Sequence, residues 1–62
     1  MTVQNFFEII LSTVKDVYGE QFENLSQEDK FRVCMIYADQ IAKSDKIVME
    51  ALAEAAYVEF NS

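Results

Sequence analysis

Histidine is absent, so the sequence has no ordinary general base near neutral pH, and the candidate groups for catalysis are a single thiol and several carboxylates. Cys34 lies inside the apolar run formed by residues 33–38. Since a reactive thiol needs a polar, electropositive setting, we expect Cys34 to be a buried core residue with a raised pKa. A redox switch, or a disulfide between two copies of the chain, is the alternative role for this cysteine.

Carboxylates occur in two groups whose spacing would suit acid–base catalysis or metal binding. Glu50 and Glu54 are one helical turn apart, and Asp16, Glu20 and Glu23 lie close together in the sequence. Helical two-metal sites generally add a Glu-x-x-His motif to such carboxylates, and this chain has no histidine. We therefore interpret these five residues as a candidate acidic surface in solvent, and we predict no catalytic residue, no bound metal and no cofactor.

The composition argues against several classes of protein. The chain carries 11 acidic and 5 basic residues, a net charge of −6, whereas binding to nucleic acid or to an anionic membrane requires an excess of Lys and Arg. A single glycine excludes the glycine-rich phosphate loops of nucleotide-binding proteins. The apolar runs are far shorter than the roughly 20 residues that span a bilayer. The free cysteine and a start without export-signal features predict a cytoplasmic protein.

Three helices should position these groups, because the chain has no proline and only one glycine. The first helix is predicted over residues 3–18, between a Thr2 cap and Gly19. Its packed face is predicted to consist of Val3, Phe6, Phe7, Ile10, Val14 and Val17. The second is predicted over residues 27–43, after Ser26. Its apolar run places side chains on every side of the helix, so the helix must be buried by other side chains all the way round. The third is predicted over residues 46–60, with Ser44 or Asp45 as its cap.

The connector at residues 20–25 contains two apolar side chains, Phe22 and Leu25. We predict that both pack under the bundle and fix the start of the second helix. The alternative is an exposed aromatic side chain that inserts into a binding partner. At the start of the second helix, Ser26 and Asp29 are spaced to form a short capping box.

The predicted fold class is all-α: a compact three-helix bundle with helices at about 3–18, 27–43 and 46–60, in one small domain of residues 1–62. A domain of this size buries only about 60% of its unfolded surface. The chain is 52% hydrophobic, and one cysteine without histidine provides neither an internal disulfide nor a zinc site. Some apolar side chains should therefore be covered by dimerisation or by another protein.

The third helix is the candidate contact surface, because it is apolar on nearly every side. One stripe of it must pack on the other two helices, and the remainder is left for a partner. The candidate protein interface consists of Met49, Ala53, Ala56, Tyr57 and Phe60. The alternative is that its alanines are simply good helix formers on a neutral surface.

These observations predict a non-catalytic, acidic protein-interaction or regulatory module, an adaptor or a small inhibitor, that acts through an apolar helix face. We expect a homodimer that binds another protein and has no direct contact with nucleic acid or membrane. The alternative function is an acidic mimic of nucleic acid that inhibits a DNA- or RNA-binding protein, such as a phage-encoded inhibitor of a host defence or transcription protein. Such a mimic would lose its partner steeply as ionic strength rises.

Overall fold

The computed structural model describes residues 2–61. It contains α1 (Val3–Tyr18), a 3-10 helix (Gly19–Asn24), α2 (Gln27–Ala42) and α3 (Lys46–Asn61). The three α-helices pack against one another, and no strand occurs among residues 2–61. The predicted all-α bundle is confirmed, with helix ends within one residue of the predicted ones.

Each α-helix begins with a side-chain oxygen that accepts a hydrogen bond from a backbone amide three residues later, which satisfies one of the free N–H groups of the first turn. The three bonds are 3.1–3.2 Å long and join Thr2 to Asn5, Ser26 to Asp29, and Asp45 to Val48. Only the Ser26 half of the predicted capping box forms, and the Asp29 carboxylate lies 3.6 Å from the Arg32 guanidinium.

Positive backbone φ angles end the first two helices. Gly19, at φ 62°, directs its N–H to the Lys15 carbonyl and turns the chain into the 3-10 helix. Lys43 and Ser44, at φ 54° and 65°, form the turn between α2 and α3 without a glycine. The short turn folds α3 back along α2 as a helical hairpin.

The core lies between the helices and receives side chains from every element. The residues with at most 6% of their surface exposed are Phe7, Ile10, Val14, Phe22, Cys34, Ala38, Leu52, Ala56 and Phe60. Phe60 joins the aromatic part of this core, since its ring centroid lies 6.4 Å from that of Phe7 and 6.3 Å from that of Phe22. Such tilted and edge-to-face pairs are favourable aromatic arrangements.

The connector belongs to the core, as predicted. Phe22 is 1% exposed, so the alternative of an aromatic side chain free to insert into a partner is wrong. The ammonium groups of Lys15 and Lys30 lie 6.0 and 5.6 Å from its ring centroid, at cation–π distance. Leu25, at the end of the connector, packs half-buried against the same core.

A large apolar surface remains outside the bundle. The apolar run of α2 is not covered on every side, because Ile36 is 52% exposed while Cys34 and Ala38 are buried. On α1, Val3 and Val17 were expected on the packed face but are exposed, since they lie near the helix ends beyond the core. The other exposed large apolar residues are Ile9, Tyr18, Ile41, Ile47, Tyr57 and Val58.

Candidate protein-interaction surfaces

Two of the five residues predicted as a protein interface on α3 lie in the core. Ala56 and Phe60 are buried, so their assignment to an exposed contact surface is wrong. With Leu52 they repeat every four residues, which places them on one helix face. That face turns inward because Phe60 fills the space between the aromatic rings of α1 and the connector.

The other three predicted residues form the neighbouring stripe of α3. Met49 and Ala53 are half-buried and Tyr57 is 63% exposed. Across the hairpin, Phe31 of α2 lines a groove together with Tyr57. Met35 lies one turn after Phe31 and therefore shares its side of α2, and both side chains are partly buried against the core.

We call the surface formed by Phe31, Met35, Met49, Ala53 and Tyr57 the hairpin face. Aromatic side chains, methionine and arginine are the residue types enriched where proteins meet. The spacing of Phe31 and Met35, one helical turn apart, is the sequence signal that could have identified the α2 half of this face. From the sequence alone, however, this spacing cannot be distinguished from that of residues buried in the core.

The charges at one end of the hairpin face have both signs. The Arg32 guanidinium lies 3.1 Å from the Glu28 carboxylate and 3.6 Å from that of Asp29. Glu28 also lines the groove at Tyr57. Arg32 and Glu28 are largely accessible to solvent and Asp29 about half so, which means that these ion pairs contribute little to stability and can rearrange at a contact.

A second apolar surface lies between α1 and α3. This α1–α3 groove is lined by Val3, Gln4, Ala51, Ala55, Val58 and two carboxylates, Glu54 and Glu59. Ile47, 81% exposed, continues its α3 stripe one turn toward the start of the helix. The sequence spacing places these α3 residues on one side of the helix. It does not predict that this side is exposed to solvent or that Val3 of α1 lines the same groove.

The predicted acidic residues do not share one groove. Asp16 lies in a shallow depression with Lys15, whereas Glu54 lines the α1–α3 groove. Glu23 lies 3.8 Å from the Lys30 ammonium, which offsets its charge. Glu20 and Glu50 are exposed on the connector and on α3. A basic partner would therefore meet separate acidic regions, one at Asp16 and one at Glu54 in the α1–α3 groove.

Cys34 lies in the core, where its environment suppresses ionisation. The thiol is 1% exposed, and burial raises its pKa from 9.0 to about 11. The positive charge of Lys15 lowers the pKa and the negative charge of Glu59 raises it, but both effects are smaller than burial. Because the thiolate is the nucleophile, the chemistry of this site favours an inert thiol.

The raised pKa of Cys34 predicts a loss of stability at alkaline pH. The unfolded chain releases the thiol proton near pH 9 and the folded chain near pH 11, so folding binds a proton between these values. The stabilising contribution is complete below pH 9 and disappears as pH rises to about 11. Urea titrations across this range should show a steeper decline for the wild type than for Cys34→Ala, and equal slopes would contradict the assignment.

Among residues 2–61, no three acidic or cysteine side chains come close enough together to hold a metal ion. No helix within the same residues combines the length and the apolar content required to cross a bilayer. Comparisons of the chain with protein-family models, with curated proteins and with solved structures find no match.

Proposed function

We propose that the protein is a non-catalytic, cytoplasmic protein-interaction module that self-associates through the hairpin face. The observation that carries this proposal is the aromatic side chain of Tyr57, which is 63% exposed next to half-buried Phe31. A tyrosine in this position offers a rigid apolar ring with a polar tip, which favours a place at a protein contact. The thioether side chains of Met35 and Met49 can adapt to an opposing surface.

The charge pattern supports a second copy as the occupant of the hairpin face. Arg32 beside Glu28 gives this region both signs, so two copies related by a twofold axis can place opposite charges together. The net charge of −6 on each copy opposes association over longer distances. Moderate salt screens that repulsion, and we therefore expect the dimer to become more stable as ionic strength rises from low values.

The test is sedimentation velocity of the full chain from micromolar to millimolar concentration. Wild type should change from monomer to dimer over this range, whereas Tyr57→Asp should weaken dimerisation by about tenfold or more, because it removes an aromatic anchor and places a charge in an apolar contact. Val17→Asp is the matched control, since Val17 is 62% exposed but lies on α1. It should dimerise like wild type.

A wild-type chain that remains monomeric at every concentration would overturn the proposal. So would equal dimerisation of wild type and Tyr57→Asp, because the contact would then lie elsewhere. Far-UV circular dichroism of both variants establishes that each keeps its helices, and both substituted side chains are exposed, so large effects on folding are not expected.

A further inference from the structure

The α1–α3 groove has a different chemistry from the hairpin face and needs a different occupant. Two half-buried alanines, Ala51 and Ala55, line it together with the larger side chains of Val3 and Val58. Small side chains let a second backbone approach closely, and the two valines supply apolar contact. From Ile47 to Val58 the stripe is about 16 Å long, which matches three turns of an opposing helix.

Among residues 2–61, the charged side chains that line this groove have one sign. Glu54 and Glu59 are in its lining, the remaining polar member is Gln4, and none of these described residues places a basic side chain there. The only basic residue of α3 is Lys46, in the first turn of the helix. A peptide helix that covers the apolar stripe would therefore have two carboxylates along its border.

We infer that the α1–α3 groove binds an amphipathic helix of another protein whose apolar stripe is bordered by Lys or Arg. A second copy is disfavoured, since its own groove would bring Glu54 and Glu59 against the same carboxylates, and like charges across an interface are repulsive. An anionic membrane is disfavoured for the same electrostatic reason. The helix-in-groove mode anchors such partners through apolar residues at three- and four-residue spacing.

The probe is a synthetic helical peptide of about 15 residues, some 22 Å long, with leucines along one stripe and lysines on both sides of it. A second peptide has glutamates in place of the lysines. Each peptide carries a fluorophore and is titrated with the full protein, with anisotropy as the readout. The lysine peptide should bind at least about tenfold more tightly at low salt, and the difference should shrink near 1 M salt, where the screening length is about 3 Å.

Matched variants locate the peptide. Ala51→Arg places a long cation in the groove and should weaken binding of the lysine peptide by about tenfold or more, through steric block and charge repulsion. Ala53→Arg makes the same change on the same helix but points to the hairpin face. It should leave peptide binding within about twofold of wild type, a difference of less than 0.5 kcal/mol.

A pair of charge variants tests the border without filling the groove. Glu54→Gln with Glu59→Gln should weaken lysine-peptide binding several-fold at low salt, whereas Glu8→Gln with Glu20→Gln, which removes two charges outside the groove, should have a much smaller effect. This comparison remains informative if Ala51→Arg is poorly folded.

Failure of this inference is distinguishable from failure of the proposed self-association. Ala53→Arg should abolish the dimer and keep peptide binding. Ala51→Arg should keep the dimer and weaken peptide binding by about tenfold or more. Absence of lysine-peptide binding, equal binding of both peptides, or equal effects of the two arginine substitutions on the peptide would overturn the assignment of the groove.

Discussion

Replacing Phe60 by Ala is expected to lower the free energy of unfolding by about 3 to 5 kcal/mol, the usual cost of removing a buried Phe ring. Phe60 is 6% exposed and its ring contacts those of Phe7 and Phe22 at centroid distances of 6.4 and 6.3 Å. A domain of 62 residues has a total stability of about 3 to 9 kcal/mol. The variant should therefore lose at least about a third of this stability, and at the low end of the range it should unfold without urea.

Urea denaturation followed by far-UV circular dichroism measures this loss, at a concentration low enough to keep the chain monomeric. Tyr57→Ala is the control, because it removes an aromatic side chain from the same helix but from its exposed side. It should change stability by about 1 kcal/mol or less. If the two variants were equally stable, Phe60 would not have the core position described above.

Replacing Phe22 by Ala is expected to cost a similar amount, about 3 to 5 kcal/mol, although Phe22 lies in a connector. The side chain is 1% exposed and lies at the centre of a cluster with Phe60 and the ammonium groups of Lys15 and Lys30. The alanine variant leaves a cavity and removes both cation–π contacts, whereas Phe22→Leu retains most of the volume and should cost much less.

The double variant Phe22→Leu, Phe60→Leu, compared with its two single variants, tests whether the two rings share one cluster, because leucine retains enough volume for the chain to stay folded. Because the rings are in contact, the combined loss should be smaller than the sum of the single losses by at least about 0.5 kcal/mol. If the losses add and Phe22→Ala costs less than about 1 kcal/mol, the connector is not part of the core. That result would favour the alternative in which the Phe22 side chain is exposed and inserts into a binding partner.

The helix boundaries were predictable because the signals that set them are local. Ser26 accepts a hydrogen bond from the amide three residues later, and this geometry depends on neighbouring residues alone. Gly19 takes the positive φ that its position at the end of α1 predicted. The second turn was less predictable, since Lys43 adopts a left-handed conformation without being a glycine or asparagine.

The side of each helix that faces the core was harder to predict where apolar residues surround the helix. On α1, polar residues mark the outer side, and the expected Phe7, Ile10 and Val14 are buried. On α3, any of several stripes could have packed inward. Only tertiary packing decides that Phe60 is buried while Ile47 is 81% exposed. The candidate interface on α3 was therefore only partly predictable.

The expectation that one chain cannot cover all of its apolar side chains holds for some of the residues concerned and not for others. Phe60 is covered by its own chain, and Met35 and Met49 are covered in part. Ile36 and Tyr57 remain 52% and 63% exposed. The bundle thus completes its aromatic interior and still presents apolar surfaces, which is the physical basis for proposing partners on two different faces.

The most direct test of the proposed self-association is an isotope-filtered nuclear Overhauser experiment on an equimolar mixture of carbon-13-labelled and unlabelled chains. It detects only protons that approach each other across two copies. We expect cross-peaks from the Tyr57 ring and from the Met35 and Met49 methyl groups to the partner copy. Cross-peaks confined to Phe7, Phe22 and Phe60, which would indicate exchanged helices, or no intermolecular cross-peaks at millimolar concentration, would contradict it.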